Sequence, residues 1–250
     1  MKSLFTTSSA VLLLLCSSVS SQDGLPLFRK MQDALGGANR IAAIRDYEEF
    51  ITAESWNGNT GQSIGEVRKR TRYIRPNHLR IDQVGPGSTY VLYFDGTKGW
   101  EILPGSKEVV ELKGGELEFA RGILRGLRVN TWIADRDPRY KITSPSPNSV
   151  RIADGDITHQ LDITLDAASS LPVKIAFTTL SDPARPDPGE NVLSEWHTVQ
   201  GIRFPRRWTV FRRGVRVAEA KEARSFVNSG LKVEDLAAKP SDLKPVLSTR

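Results

Sequence analysis

The chain has 250 residues, a mean hydropathy of −0.33 and a formal net charge of +6. That length suits a leader followed by one β-rich domain with a sizeable core, and no apolar run reaches the roughly 20 residues that a membrane-spanning helix needs. The single cysteine, Cys16, excludes an intramolecular disulfide and a multi-thiolate metal centre.

Residues 1–21 read as a secretory signal peptide. Lys2 gives the positive start, residues 10–15 form the apolar stretch, and Val19 and Ser21 are small enough for the cleavage positions, so the mature chain starts near Gln22. Two alternatives are a retained N-terminal anchor and a lipoprotein attached through Cys16. The second requires a small residue just before the cysteine, where Leu15 stands. Losing the leader removes only Lys2 from the charge, so the mature chain stays basic and rests on an ordinary core.

The mature chain opens with a short helix in which Leu25, Phe28, Met31, Gln32 and Leu35 follow helical spacing, ended by Gly36-Gly37. A second short helix over 38–44 presents Ile41 and Ile44. Residues 47–53 form the first strand, and a turn over 57–61 leads into a second over 64–74. Residues 73–112 then alternate strand and turn. A strand over 75–82 is followed by one entering Asp95-Gly96, a hairpin signal because both residues tolerate a left-handed backbone. Gly99-Trp100-Glu101-Ile102 leaves that turn and Pro104-Gly105 makes another. Such an antiparallel meander needs an apolar cover on one face.

Residues 114–135 break the strand pattern. Leu117, Ala120, Ile123, Leu124 and Leu127 fall on one helical arc, flanked by Arg121, Arg125 and Arg128, and Gly122 and Gly126 soften the helix. Packing on the sheet as core and lidding an apolar cavity are both open to this helix. Strands resume over 140–142, 150–153, 159–165, 172–179, 192–198, 208–213 and 215–226. Asp154-Gly155-Asp156 reads as a turn, residues 182–189 as a Pro-rich surface loop, and the polar tail from Ala237 as loosely attached.

Pro76, Leu79, Arg80, Ile81 and Asp82, the hairpin from Phe94 to Trp100, the Pro104-Gly105 turn, and Gly201 and Pro205 within residues 199–205 together resemble the LolA/LolB-like lipoprotein-carrier superfamily of the periplasm. The resemblance covers most of the chain after the leader as a pattern of turns and strands, without a catalytic signature. It implies an α+β fold that is mainly β, a curved antiparallel sheet or half-open β-barrel wrapped around short helices. It also implies a single domain over 22–250, a periplasmic location, and an acyl chain of a lipid or lipoprotein as partner. On this reading Trp56, Tyr73, Leu79, Ile81, Tyr93, Trp100, Ile163 and Trp196 line an apolar concavity, closed by the helix carrying Leu117, Leu124 and Leu127. Each buried acyl methylene contributes about 0.8 kcal/mol. The basic residue that latches the lid in the family's carriers has no recognisable motif here.

The chemistry expected of an enzyme is sparse. His78, His159 and His197 are scattered, Asp154 and Asp156 lack the other ligands of a calcium loop, and no nucleophile elbow or phosphate loop occurs. No catalytic residue, metal or cofactor is expected. His197 beside Trp196 and Glu195 reads as a partly buried strand side chain ahead of a catalytic base, and an enzyme would require His78, His159 and Glu195 to gather in a polar cleft. Two basic clusters, one at Arg68-Lys69-Arg70, Arg72, Arg75 and Arg80 and one at Arg206-Arg207, Arg212-Arg213 and Arg216, read as a solvated sheet exterior, or as a transient contact with an anionic membrane surface. No nucleic-acid motif accompanies them, and a monomer is expected. The reading is an exported lipid or lipoprotein carrier; the alternative is an envelope stress-sensing or protein-interaction module on the same fold.

Overall fold

The computed structural model describes residues 22–155, 160–179 and 187–248. The expected leader with Cys16, as well as Asp156, His159 and most of the Pro-rich loop, lies outside them. A two-residue strand β1 (Gln22–Asp23) precedes helices α1 (Leu25–Ala34) and α2 (Ala38–Ala42). The meander follows as β2 (Asp46–Trp56), β3 (Ser63–Ile74), β4 (His78–Gly85), β5 (Ser88–Phe94), β6 (Gly99–Ile102) and β7 (Val110–Glu111). After helices α3 (Gly115–Gly126) and α4 (Arg128–Thr131) and a 3-10 turn (Ala134–Arg136) come β8 (Lys141–Ser146), β9 (Ser149–Ala153), β10 (Leu161–Leu165) and β11 (Pro172–Thr179). Three long strands, β12 (Asp187–Val199), β13 (Ile202–Arg212) and β14 (Val215–Val227), and the short α5 (Val233–Ala237) complete the order.

All described strands join one antiparallel sheet in the order β1-β8-β9-β10-β11-β12-β13-β14-β2-β3-β4-β5-β6-β7. Its two ends do not pair with each other, so the barrel stays open, as the sequence implies. The pairing of β14 with β2, from Val227 opposite Tyr47 to Ala218 opposite Ser55, splices the first meander to the second.

The turns follow local chemistry. Asp95 Oδ1 accepts the backbone N–H groups of Thr97 and Lys98 at 2.9 and 2.8 Å, and Gly96 has φ +97°. Gln200-Gly201 joins β12 to β13 with φ of +47° and +79°, the pair of positive values that a two-residue hairpin of this twist requires. Gly36, at φ +117°, presses on that turn, and a Cβ there would meet the Gly201 carbonyl oxygen at 2.1 Å. The sequence places a strand only from 208, yet β13 begins at Ile202, with Pro205 inside it. The single helix expected over 114–135 is broken at Leu127, which adopts ψ +130°. Asn130 Nδ2 donates to the Leu124 carbonyl at 2.9 Å and seals the break.

Helices α1 and α2 fill one end of the curved sheet. Phe28, Met31, Leu35 and Ile41 are fully buried there around Trp132. The Trp132 ring lies 5.4 Å from Phe204, which stacks on Tyr47 at 5.5 Å. Gln32 Nε2 donates to the Trp132 carbonyl and to Asp135 Oδ1, at 2.9 and 2.8 Å, tying α1 to the segment after α4.

The outer face of β3–β6 is covered too, which overturns the loosely attached tail. Residues 231–248 cross it as a strap that buries Leu236 against Val91, Tyr93, Trp100 and Ile102. Beneath the strap lie Arg70, Arg72, Arg80 and Asp82, all at most 6% exposed. Asp82 bonds Arg72 at 2.6 Å and Arg80 at 2.9 Å and accepts the Val246 N–H at 2.9 Å. Arg80 donates to the Leu236 carbonyl at 3.1 Å, and Arg70 pairs with Glu48 at 2.6 Å. Within the first basic cluster Arg70, Arg72 and Arg80 are therefore paired and buried rather than a solvated or membrane-facing exterior, while Arg68 stays exposed. Asp82→Ala leaves two buried guanidinium groups without their carboxylate and is expected to lower stability by about 3–5 kcal/mol in urea unfolding.

Candidate functional site

Register across β2–β5 sorts the inner face into rows. Tyr47, Tyr73, Leu79 and Phe94 share the first row, and Glu49, Thr71, Ile81, Leu92 and Glu101 share the second, which reaches β6. Both rows are buried under the helical plug. The third row, Ile51, Lys69, Gln83 and Tyr90, is only half-buried, as are Ala53 and Val67 beyond it. Leu117, Ile123 and Leu127 of the α3 segment pack against the inner core and are themselves half-buried. The inner face thus passes from a filled end to an open end that keeps apolar side chains.

A polar cluster marks the boundary. Glu49 Oε1 accepts the Tyr47 hydroxyl at 2.8 Å and the Arg128 guanidinium at 2.6 Å, and Arg128 lies 4.2 Å from the centre of the Trp208 ring. Burial pushes the Tyr47 hydroxyl well above its ordinary value. Burial opposes the Arg128 charge, but Glu49 and Tyr47 together outweigh it and raise the guanidinium. Lys69 projects from the same face, and burial lowers its ammonium, with Glu49 acting against that shift and Arg128 adding to it. Among the described residues Lys69 has no hydrogen bond or ion pair.

Of the residues expected to line the groove, Tyr73, Leu79, Ile81, Leu124 and Ile163 are buried in the inner core, and Leu117, Leu127 and Trp196 pack at its edge. Tyr73, Leu79, Ile81 and Ile163 thus belong to the filled part. Tyr93 and Trp100 lie on the other face of the sheet, in the cluster under the strap. Trp56 belongs to neither cluster, and the Arg216 guanidinium covers its ring at 3.9 Å. Sequence reasoning missed Ile51, Ala53, Val67 and Lys69. Their signal was parity with Tyr73 along β3, and opposite it along β2.

Two concavities open elsewhere. One of about 340 Å³ lies at the ends of β10–β13 among Asp162, Phe177, Glu190 and Phe211. The other, about 290 Å³, lies beside His197, Arg206, Glu222 and Phe226. His78 bonds Tyr93 at 3.2 Å on β4, whereas Glu195 pairs with Arg207 across β12 and β13. Five strand positions separate β4 from β12, so these two candidates do not meet, and His159 lies outside the described residues. No group of three or more metal-ligating side chains occurs among the described residues. In the second basic cluster Arg207 and Arg216 pair with Glu219, Arg213 pairs with Asp187, and Arg212 lies over Phe177.

No protein-family model and no curated protein sequence matches the chain. Solved structures do. A domain described as an outer membrane lipoprotein-sorting protein domain from Vibrio parahaemolyticus is similar with TM-score 0.52 and 12% identity, over 85% of this chain and 95% of that one. A DUF1329 family protein from Desulfovibrio piger is similar with TM-score 0.55 and 12% identity, over 86% and 98%. A LolA superfamily protein from Nitrosomonas europaea is similar with TM-score 0.55 and 10% identity, over 86% and 98%. The chain has a LolA-like fold.

His197 gives the LolA-like domain a pH dependence. Its Nδ1 is buried without a hydrogen-bond partner, and burial, with Arg206 adding, holds the imidazole below its ordinary value. The unfolded chain therefore takes up a proton first, near pH 6.5, and stability is lost as the pH falls from there through the lower folded value. Urea unfolding midpoints are expected to fall between pH 7.5 and pH 5, and His197→Asn is expected to flatten that fall.

Proposed function

We propose that this LolA-like protein is an exported, periplasmic carrier that holds an acyl chain of a lipid or lipoprotein between α3 and the open end of the inner face. One observation carries the reading. The third row and the residues beyond it stay apolar at Ile51, Ala53 and Val67 while losing the cover that buries the first two rows. Apolar surface of this kind is stabilised when a guest's hydrocarbon replaces water, at roughly 25 cal/mol per Å². The lid is suited to movement. Gly122 and Gly126 have nothing within 4 Å of where a Cβ would stand, so their cost to the helix, up to about 1 kcal/mol each, is not repaid by close packing. The likeness to a domain described as lipoprotein-sorting supports this reading. The protein acts by binding, without a catalytic step, metal or cofactor, and works as a monomer.

Native purification from the periplasm, solvent extraction and mass spectrometry test the reading directly, and intact mass reports whether the mature chain starts near Gln22. Co-purified acyl lipid and saturable binding of a neutral hydrophobic fluorophore are the expected results. Ala53→Trp fills the open end and is expected to weaken fluorophore binding about tenfold or more while leaving the unfolding midpoint near that of the parent. An empty protein that binds no fluorophore would sink the proposal.

A further inference from the structure

The inner face contains a cation that the packing of the chain does not explain. Lys69 stands in the half-buried third row, between Ile51 on β2 and Gln83 on β4, where the filled end meets the open one. Taking an ammonium out of bulk water is costly unless a partner replaces the lost solvation. The nearby acid turns elsewhere: Glu49 Oε1 holds both the Tyr47 hydroxyl and Arg128, and among the described residues Glu49 forms no ion pair with Lys69. The other inner-face acid, Glu101, accepts the Tyr90 hydroxyl at 3.1 Å and sits three strands from Lys69, about 14 Å across the sheet. Glu49, Arg128 and Lys69 together carry one net positive charge, which is assigned to Lys69 because Arg128 is paired. Ile51, Ala53 and Val67 run from that charge toward the open end. A single positive group at the closed end of an apolar trough is complementary to an amphiphile with one anionic head.

We propose that Lys69 receives the anionic head of a single-chain amphiphile, a carboxylate or a phosphate, whose tail lies along the open end of the inner face beneath α3. The inference rests on the carrier reading above and narrows it: the cargo enters head first and its head charge selects it. Arg128, held by Glu49 and Trp208, is a positioning residue that keeps Glu49 away from Lys69 and leaves the ammonium free for the ligand.

The test compares palmitate, hexadecyl phosphate and hexadecanol as competitors for the neutral fluorophore, on the delipidated full mature protein. Wild type is expected to bind the two anions about tenfold more tightly than the alcohol, the usual scale of a charge-assisted contact in a partly buried site. Lys69→Met is expected to bind hexadecanol as before and to lose the preference to within about threefold. Lys69→Arg is expected to keep it, and the exposed control Lys98→Met to match wild type. A separate readout is the Lys69 side-chain nitrogen resonance, which is expected to shift on adding palmitate and to stay unmoved with hexadecanol. Which anion binds more tightly assigns the head as carboxylate or phosphate. Equal affinity for alcohol and anions in wild type, or a preference that survives Lys69→Met, overturns the Lys69 assignment and leaves the carrier reading standing. Failure of every competitor and of the fluorophore overturns both.

Discussion

Successive residues of a strand face opposite ways, so a strand covered on both sides must be apolar or neutralised at every position. Strands β3–β5 obey that constraint, and much of the molecule follows from it. On the inner side helices supply the cover, and Tyr73, Leu79 and Phe94 answer it with apolar bulk. On the outer side the strap supplies the cover, and the facing positions hold Arg70, Arg72, Arg80 and Asp82 beside Val91 and Tyr93. Charges in such a place are tolerated because each guanidinium finds a carboxylate: Asp82 lies between Arg72 and Arg80, and the Leu236 carbonyl takes a further Arg80 donor, while Arg72 Nε stays buried without a hydrogen-bond partner. Buried ion pairs of this kind add little net stability over an apolar replacement. Their directional bonds to Leu236 and Val246 instead set where along the sheet the strap lies.

The inner side is governed by how far its cover extends. The helical plug reaches the first two rows and stops, so full burial ends at the third. At the filled end, Trp132 against Phe204 and Tyr47 makes a rigid wall. At the open end, the same strands continue half-buried, with Ile51, Ala53 and Val67 beside the polar Lys69 and Gln83. Protein interiors are otherwise packed as densely as organic crystals, which makes an apolar face left half-covered a natural place for a guest. The polar cluster of Glu49, Arg128 and Lys69 falls on the dividing line, where full burial gives way to partial solvent access.

Much of the fold was legible because turn chemistry is local. Asp95-Gly96, the meander it organises and the apolar arc of α3 all follow from short-range residue preferences. What parity leaves open is which side of a strand faces in. Tyr93 and Trp100 are large and aromatic, yet they point away from the groove. The sign of this was present in Tyr90-Val91-Leu92-Tyr93-Phe94, an unbroken apolar run rather than an alternating one, which marks a strand buried on both faces. The second cover was also written in the chain, as Leu231, Leu236 and Leu243 spaced through a polar tail. The inner lysine was harder to see. Lying between Arg68 and Arg70, it reads as part of one basic surface until the pleat separates it from them.

The splice between β14 and β2 bears on how the molecule is made. Partners in that pairing lie more than 150 positions apart in the chain, so β2 emerges from synthesis or from a translocation channel long before the strand that will flank it. Until then β2 offers a long bare edge, the kind of surface that invites strangers to add a strand of their own. Topologies closed by such distant contacts mature slowly. A polypeptide built this way gains from being kept unfolded until its last hairpin is available.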